Sequence, residues 1–204
     1  MAISVHNRLE RLDFLLGLEE FSNLQNYRDD IERTFKALGL ESGQKYLSIG
    51  IGRNRLPPLF ALYGGLDVVG VDTDQRRIEY HKRVSSKFKD VLEESSGSLK
   101  ALNLNVDENL MKWYVGMFDV VECVNFTRNC DPTELAQILL SLGKKESGYL
   151  VSLFGGVDGR KNTLAQAVIA ESGRLNKKQE VIADDLLVSD KYTNSRAALI
   201  RVYR

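Results

Sequence analysis

The stretch Tyr46–Asp74 reads YLSIGIGRNRLPPLFALYGGLDVVGVDTD, and its pattern of apolar runs and turns decides the fold. A short apolar run, Tyr46–Ile49, predicts a strand that ends in two glycines separated by a single residue. Hydrophobic residues resume after a double proline and predict a helix that begins near Pro58. A second apolar run, Asp67–Val71, predicts the next strand. We therefore predict a strand–turn–helix–strand unit with a glycine-rich first turn.

Strands and helices alternate along the rest of the chain, which is typical of a doubly wound sheet with helices on both faces. Two strands close the chain with no helix between them. The sequence therefore predicts an α/β fold with a mostly parallel seven-stranded sheet and a C-terminal antiparallel hairpin. It further predicts a helical extension over residues 1–40 that packs on a core domain over 41–204. The predicted strands are 46–49, 67–71, 101–106, 118–124, 149–154, 180–188 and 197–203, and the predicted helices after residue 40 are 58–63, 75–93, 132–142 and 163–172.

Composition limits the kinds of partner. The chain has 28 Lys plus Arg and 28 Asp plus Glu, so it lacks the basic excess that phosphate-binding surfaces need, and nucleic acid is not favoured. Charges near the N-terminus interrupt the apolar core of a signal peptide, and no apolar run approaches the roughly 20 residues of a membrane helix. We expect a cytoplasmic protein. Cys123 and Cys130 lack the spacing of a zinc site, so no metal is expected, and Cys123 is predicted to be buried.

The glycine pair and the next strand suggest a ligand. Gly50 and Gly52 lack Cβ atoms, so the backbone there can turn tightly and approach a ligand closely. Asp72 ends the second strand, where a carboxylate can accept hydrogen bonds from both hydroxyls of a ribose. A dinucleotide fingerprint needs a third glycine where Arg55 stands. The prolines predict extended backbone before Pro58, hence a loop longer than a pyrophosphate turn. The pattern favours an adenosine-containing ligand without phosphate.

These residues resemble the motifs of the class I, Rossmann-like methyltransferases that use S-adenosylmethionine. Ser48–Asn54, SIGIGRN, is similar to the first motif of that family, with Ser48 in place of the usual acid. Asn54 stands at the third glycine position, and asparagine tolerates left-handed backbone better than most residues. Val69–Asp74 is similar to the motif that carries the ribose-binding acid, and Asn105–Leu110 to the acidic turn that faces the adenine.

The resemblance extends over about residues 44 to 204 and implies S-adenosyl-L-methionine as the cofactor. It also implies transfer of the sulfonium methyl group to an acceptor, which we expect to be a small molecule. The end of the fourth strand is the expected active-site edge, with Asn125 and Arg128 as catalytic candidates. The cofactor-binding residues that the resemblance implies are Ser48, Gly50, Gly52, Asn54, Asp72, Thr73, Asp107, Glu108 and Glu122.

Other functions fit parts of the pattern. The glycine pair followed by Leu56-Pro57 resembles nicotianamine synthases, which transfer an aminocarboxypropyl group from the same cofactor. The departures at Ser48 and Asn54 would also suit a degenerate methyltransferase-like domain that binds a partner or regulates. An NAD-dependent oxidoreductase is disfavoured by Arg55 and the closing hairpin. His81 lies on a strongly charged predicted helix, so we expect it at the surface.

Overall fold

The computed structural model describes residues 8–105, 112–126, 131–153, 163–190 and 193–203. The strands are β1 (Lys45–Ile49), β2 (Asp67–Asp72), β3 (Ser98–Asn103), β4 (Phe118–Phe126), β5 (Gly143–Leu153), β6 (Lys178–Asp190) and β7 (Thr193–Tyr203). The helices are α1 (Arg8–Leu16), a 3-10 helix (Ser22–Tyr27), α2 (Arg28–Ala37), α3 (Leu56–Gly64), α4 (Gln75–Lys87), α5 (Lys89–Ser95), α6 (Pro132–Leu142) and α7 (Thr163–Arg174).

The strands form one sheet in the order β3-β2-β1-β4-β5-β7-β6. The first five strands pair in parallel, and β7 pairs antiparallel with both β5 and β6. The predicted seven-stranded sheet with a closing antiparallel hairpin is confirmed. The strand order reverses between β1 and β4, and ligands of such sheets bind beyond the carboxyl ends of the strands at that point.

Alternate side chains of the central strands feed two hydrophobic cores. On β1, Tyr46 packs into the core that includes residues of α1, α2, α3 and α5, whereas Leu47 packs into the core that includes residues of α6 and α7. Successive side chains of a strand point to opposite faces, so a short apolar strand supplies both layers. Cys123 on β4 is fully buried in the second core, as predicted.

The N-terminal helices take part in the first core. Phe35 of α2 is 1% exposed and makes edge-on contacts with Phe60 and Tyr63 of α3, at centroid separations of 5.8 and 5.0 Å. A Cβ atom built on Gly64 would overlap the Phe35 ring, so this glycine lets the two helices approach. Residues of α1 and of the 3-10 helix are buried in the same cluster.

The start of α3 differs from the prediction. The helix begins at Leu56, with both prolines in its first turn, whereas the sequence predicted extended backbone up to Pro58. The first-turn amides have no partner within the helix, so proline costs no hydrogen bond there, and the amide of Leu56 is capped by Asn54 Oδ1 at 3.0 Å. The turn is therefore shorter than predicted, so its length does not disfavour a ligand with a pyrophosphate group such as NAD.

Other boundaries also moved. The predicted helix over 75–93 is two helices, because Phe88 takes non-helical φ and ψ and packs against Phe21 at 5.9 Å. The third strand begins at Ser98 and not near residue 101, since Ser98 pairs with Asp67 of β2 and donates its hydroxyl to that carboxylate at 2.7 Å. Within the predicted N-terminal helical extension, Ser22–Tyr27 is a 3-10 helix that leads directly into α2 at Arg28.

Candidate functional site

The glycine turn leaves the carboxyl end of β1 and bends back towards β2. Gly50 and Gly52 have φ of 65° and 54°, a left-handed region that favours glycine. The Ile51 amide donates to the carbonyl of Val71 at 3.0 Å, which extends the pairing with β2 by one residue. The Ile51 side chain is fully buried, and a Cβ atom built on Gly70 would overlap it. The turn is therefore held both by its backbone hydrogen bond to β2 and by the packing of Ile51 against Gly70.

Asp72 meets the turn directly. Its Oδ2 accepts from the amide of Gly52 at 2.9 Å, and its Oδ1 accepts from the amide of Asp74 at 2.9 Å. Arg77 of α4 donates from Nη1 to the same Oδ2 at a longer 3.4 Å. Asp72 is 7% exposed, whereas the Arg77 side chain is 45% exposed. The predicted convergence of turn and acid on one point is present.

His81 supports the turn from α4, and the prediction that it lies at the surface is wrong. Its Nε2 lies 3.1 Å from the carbonyl oxygen of Gly52, and the residue is fully buried. Burial lowers the pKa of His81 to about 4, against the raising effects of the Gly52 carbonyl and the Asp72 charge. The neutral ring therefore carries its proton on Nε2, since a carbonyl oxygen can only accept.

A buried polar cluster lies on the other side of β1. Ser48 pairs with Gly70 on one flank and with Glu122 of β4 on the other, and both Ser48 and Glu122 are buried. Glu122 Oε1 accepts from Asn54 Nδ2 at 2.7 Å. Asn54 was predicted to exploit left-handed backbone, but the described non-glycine residues with positive φ are Ser96 and Asn176. Asn54 contributes to the site through its side-chain hydrogen bonds and not through left-handed backbone.

The buried carboxyl group of Glu122 has a pKa close to neutral pH. Burial raises the pKa of Glu122 to about 7, while the nearby Ser48, Tyr46 and Asn54 side chains lower it. Its Oε2 and the Tyr46 hydroxyl are both buried, and neither has a hydrogen-bond partner of good geometry among the described residues. The hydroxyl still lies close enough that burial and the Glu122 charge together raise the pKa of Tyr46 well above its usual value.

The remaining predicted residues are placed less completely. Thr73 is exposed at the end of β2, where its carbonyl lies 3.5 Å from Asn103 Nδ2. Asn125 belongs to β4, at the edge where the predicted active site lies. Asp107, Glu108 and Arg128 lie outside the described residues. Asp74 is the N-cap of α4 and accepts from the Arg76 amide at 2.9 Å.

Two residues of the site were missed from the sequence, Arg77 and His81. Both lie on α4, whose charged residues predicted a solvated surface. The three-residue spacing of Ile78, His81 and Val84, all buried, places His81 on the apolar face of that helix. That spacing was readable in the sequence, and it was the available signal.

Across the described ranges, no group of three or more His, Cys, Asp or Glu side chains is arranged to hold a metal ion. Within the same ranges, no helix has the length and apolar character needed to cross a membrane.

No protein-family model matches the sequence, and no curated protein matches it significantly. Solved structures do match. TYW2 from Pyrococcus horikoshii, crystallised with MeSAdo, is 11% identical with a TM-score of 0.55, over 82% of this chain and 60% of that one. The chain spans about three fifths of the length of the Pyrococcus horikoshii structures it matches.

Two further matches cover most of both chains. Geranyl diphosphate C-methyltransferase from Streptomyces coelicolor, crystallised with Mg²⁺, geranyl diphosphate and S-adenosyl-L-homocysteine, is 12% identical with a TM-score of 0.59, over 92% of this chain and 86% of that one. A SAM-dependent methyltransferase from Aquifex aeolicus is 14% identical with a TM-score of 0.58, over 85% and 88%. The chain has the fold of the class I S-adenosylmethionine-dependent methyltransferases.

Proposed function

We propose that this protein binds S-adenosyl-L-methionine at the glycine turn and transfers its methyl group to a small-molecule acceptor. The observation that carries the proposal is the 2.9 Å hydrogen bond from the Gly52 amide to Asp72 Oδ2. It joins the glycine turn after β1 to the acid at the end of β2, and β1 also borders the point where the strand order reverses, which is where such sheets bind ligands. Two structures with this fold were crystallised with adenosyl compounds, which supports the same ligand class here.

Asp72 has the capacity for a ribose. Each carboxylate oxygen can accept two hydrogen bonds, and Oδ1 accepts from the Asp74 amide, which leaves it able to accept from a hydroxyl. Arg77 lies over Oδ2 through a long contact and is nearly half exposed, so it can move aside at low cost. Gly50 and Gly52 have no side chains, so a ligand can approach the backbone of the turn closely. These features fit an adenosyl group, and Asp107 and Glu108 stay proposed neighbours of its adenine.

When bound, the cofactor supplies a methyl group on a positively charged sulfur, which an acceptor nucleophile takes as the carbon–sulfur bond breaks and its electron pair stays on sulfur. The residues of the chain align the two reactants and exclude water, which can contribute several kcal/mol without covalent catalysis. Asn125 and Arg128 are the proposed groups that orient the acceptor at the end of β4. A base is needed only where the acceptor must lose a proton.

The test is ligand-induced stabilisation. Thermal unfolding should shift upward with S-adenosylhomocysteine and not with NADH, by an amount equivalent to about 2.7 kcal/mol at 100 times the dissociation constant. Asp72→Asn keeps the shape of the side chain and should weaken binding about tenfold or more, because a charged acceptor of two hydroxyl groups is lost. Asp90→Asn, on the exposed side of α5, is the matched control. A shift with NADH alone would replace the proposal with an oxidoreductase.

A degenerate, non-catalytic domain is the second candidate. The Arg77–Asp72 contact favours it, because a cation beside the ribose acid competes with the ligand. Such a domain would show no shift with either compound. Arg77→Gln separates the possibilities further, since removing a competitor should strengthen binding of S-adenosylhomocysteine in a functional site.

A further inference from the structure

The two departures from the glycine-rich motif, Ser48 and Asn54, both adjoin Glu122. Ser48 stands where the resembling family has an acid, and Asn54 stands where it has a glycine. In the structure, the β4 residue paired with Ser48 is Glu122, and Asn54 donates a side-chain hydrogen bond to Glu122. A carboxylate therefore lies next to the position that lacks one.

We propose that Glu122, on β4, receives the ammonium group of the ligand's amino-acid end, in place of an acid at position 48. This inference rests on the proposed function. Parallel pairing puts Glu122 level with Ser48, one strand over, at the strand-order reversal beside the turn. The acid would thus lie on β4 instead of β1, at the same level along the strands.

The unused bonding capacity of Glu122 supports this role. Its Oε1 accepts from Asn54, whereas Oε2 is buried and has no hydrogen-bond partner of good geometry among the described residues, with the Ser48 and Tyr46 side chains nearby. A buried carboxylate oxygen without a well-aligned partner is costly, and a cation that reaches it removes part of that cost. Burial also raises the pKa of the Glu122 carboxyl, and a neighbouring ammonium would favour its charged form.

Asn54 links this acid to the turn. Its Nδ2 donates to Glu122, and its Oδ1 accepts from the Leu56 amide at the start of α3. An asparagine can do both at once because its amide carries a donor and an acceptor. The same contacts would serve a purely structural function, in which Glu122 only holds the loop in shape. The experiment must separate these two roles.

Two probes make that separation. S-adenosylhomocysteine carries the adenosyl group and the amino-acid end, whereas 5′-methylthioadenosine carries the adenosyl group alone. Calorimetric titration of Glu122→Gln should show S-adenosylhomocysteine weakened about tenfold or more, equivalent to about 1.4 kcal/mol. Binding of 5′-methylthioadenosine should stay within about twofold, since a lost charge pair acts only on a ligand that has the charge.

A side-chain exchange gives the converse test. The double variant Ser48→Glu with Glu122→Ser returns the acid to β1 and should recover most of the lost affinity for S-adenosylhomocysteine. It also answers the question if Glu122→Gln does not fold. Glu171→Gln is the matched control, because Glu171 is likewise buried but lies on α7, paired with Arg174. It should bind both probes as the unaltered protein does.

The other outcomes overturn the inference. Equal weakening of both probes by Glu122→Gln would assign this residue to loop shape alone. Unchanged binding of both probes would remove Glu122 from the site. An unaltered protein that binds neither probe would overturn the proposed function, and the inference would fall with it. Binding of 5′-methylthioadenosine without S-adenosylhomocysteine would keep the adenosyl site and reject a site for the ammonium.

Discussion

The Nε2 atom of His81 lies 3.1 Å from the carbonyl oxygen of Gly52, so helix α4 holds the glycine turn through a fully buried side chain. Asp72 holds the same turn, because its Oδ2 accepts from the amide of Gly52 at 2.9 Å. The amide and the carbonyl of Gly52 are thus both bonded by side chains, one from the end of β2 and one from α4. These two side chains therefore hold the turn in place together with the left-handed backbone of its glycines.

The first prediction concerns the pH dependence that His81 imposes on stability. Its pKa of about 4 in the folded protein lies below the ordinary 6.5, so the unfolded chain binds the proton first as the pH falls. The stability that the neutral ring contributes is complete above pH 6.5 and is lost as the pH falls towards 4. The loss is about 3 kcal/mol at 1.36 kcal/mol per pKa unit.

Urea unfolding at several pH values would measure this. His81→Gln keeps a donor for the Gly52 carbonyl but does not titrate, so its free energy of unfolding should fall less between pH 6.5 and 4. Carboxylates contribute to the slope of both proteins and cancel in the difference. Identical slopes would show that His81 is solvated or charged in the folded protein.

Glu122 should impose a dependence of opposite sign. Its folded pKa of about 7 lies above the ordinary 4.5, so the folded protein holds a proton that the unfolded chain releases. Stability from this group is therefore complete below pH 4.5 and is lost as the pH rises towards 7, by about 3 kcal/mol. Tyr46, the titratable neighbour, has a raised pKa and stays neutral throughout this range.

Glu122→Gln removes the ionisation and keeps the shape. In the absence of ligand, we expect this variant to be more stable than the unaltered protein at pH 8 and to approach it at pH 4.5. Denaturant unfolding at the two pH values is sufficient. A variant that is less stable at pH 8 would mean that the charged carboxylate has partners that stabilise it in the fold.

Gly70 should be intolerant of a side chain. It lies on β2 beneath Ile51 of the turn, and a Cβ atom there would overlap the Ile51 side chain. Gly70→Ala should cost about 1–3 kcal/mol, as overpacking of a filled core does, and should weaken ligand binding by displacing the turn. Gly173→Ala is the control, because space around that glycine of α7 is open and alanine favours helix by up to about 1 kcal/mol. Equal stability of the two variants would contradict this packing.

The sequence was sufficient for the architecture because periodicity records burial. The apolar runs that became β1, β2 and β4 lie at the centre of the sheet, and the absence of a helix between the last two strands marked the hairpin. Boundaries were less predictable, since tertiary contacts set them. Phe88 ends α4 because it packs against Phe21, which is distant in sequence.

The site could be predicted where a residue acts through its backbone conformation or through its position at the end of a strand. Gly50, Gly52 and Asp72 belong to adjacent elements of a known unit, so their convergence followed from topology. The Asn54–Glu122 hydrogen bond did not, because it joins residues 68 apart, one in the turn after β1 and one on β4, and the sequence does not state the register of β4 against β1. His81 was misjudged because its charged neighbours outweighed the apolar spacing of its own face.

The final prediction concerns the N-terminal helices, which we propose form an extension that folds together with the core domain. Phe35 of α2 fills the space above Gly64 and contacts two rings of α3. Phe35→Ala should therefore lower the free energy of unfolding of the whole protein by about 3–5 kcal/mol, as the loss of a buried ring does elsewhere. Arg33→Ala, exposed on the same helix, should change it by about 0.5 kcal/mol or less. Circular dichroism and hydrogen exchange of β1 amides should report one shared transition, because the ring is buried against α3 and not against solvent. If the N-terminal helices instead unfolded on their own, the β1 amides would keep their protection in Phe35→Ala, and the two segments would be energetically separate.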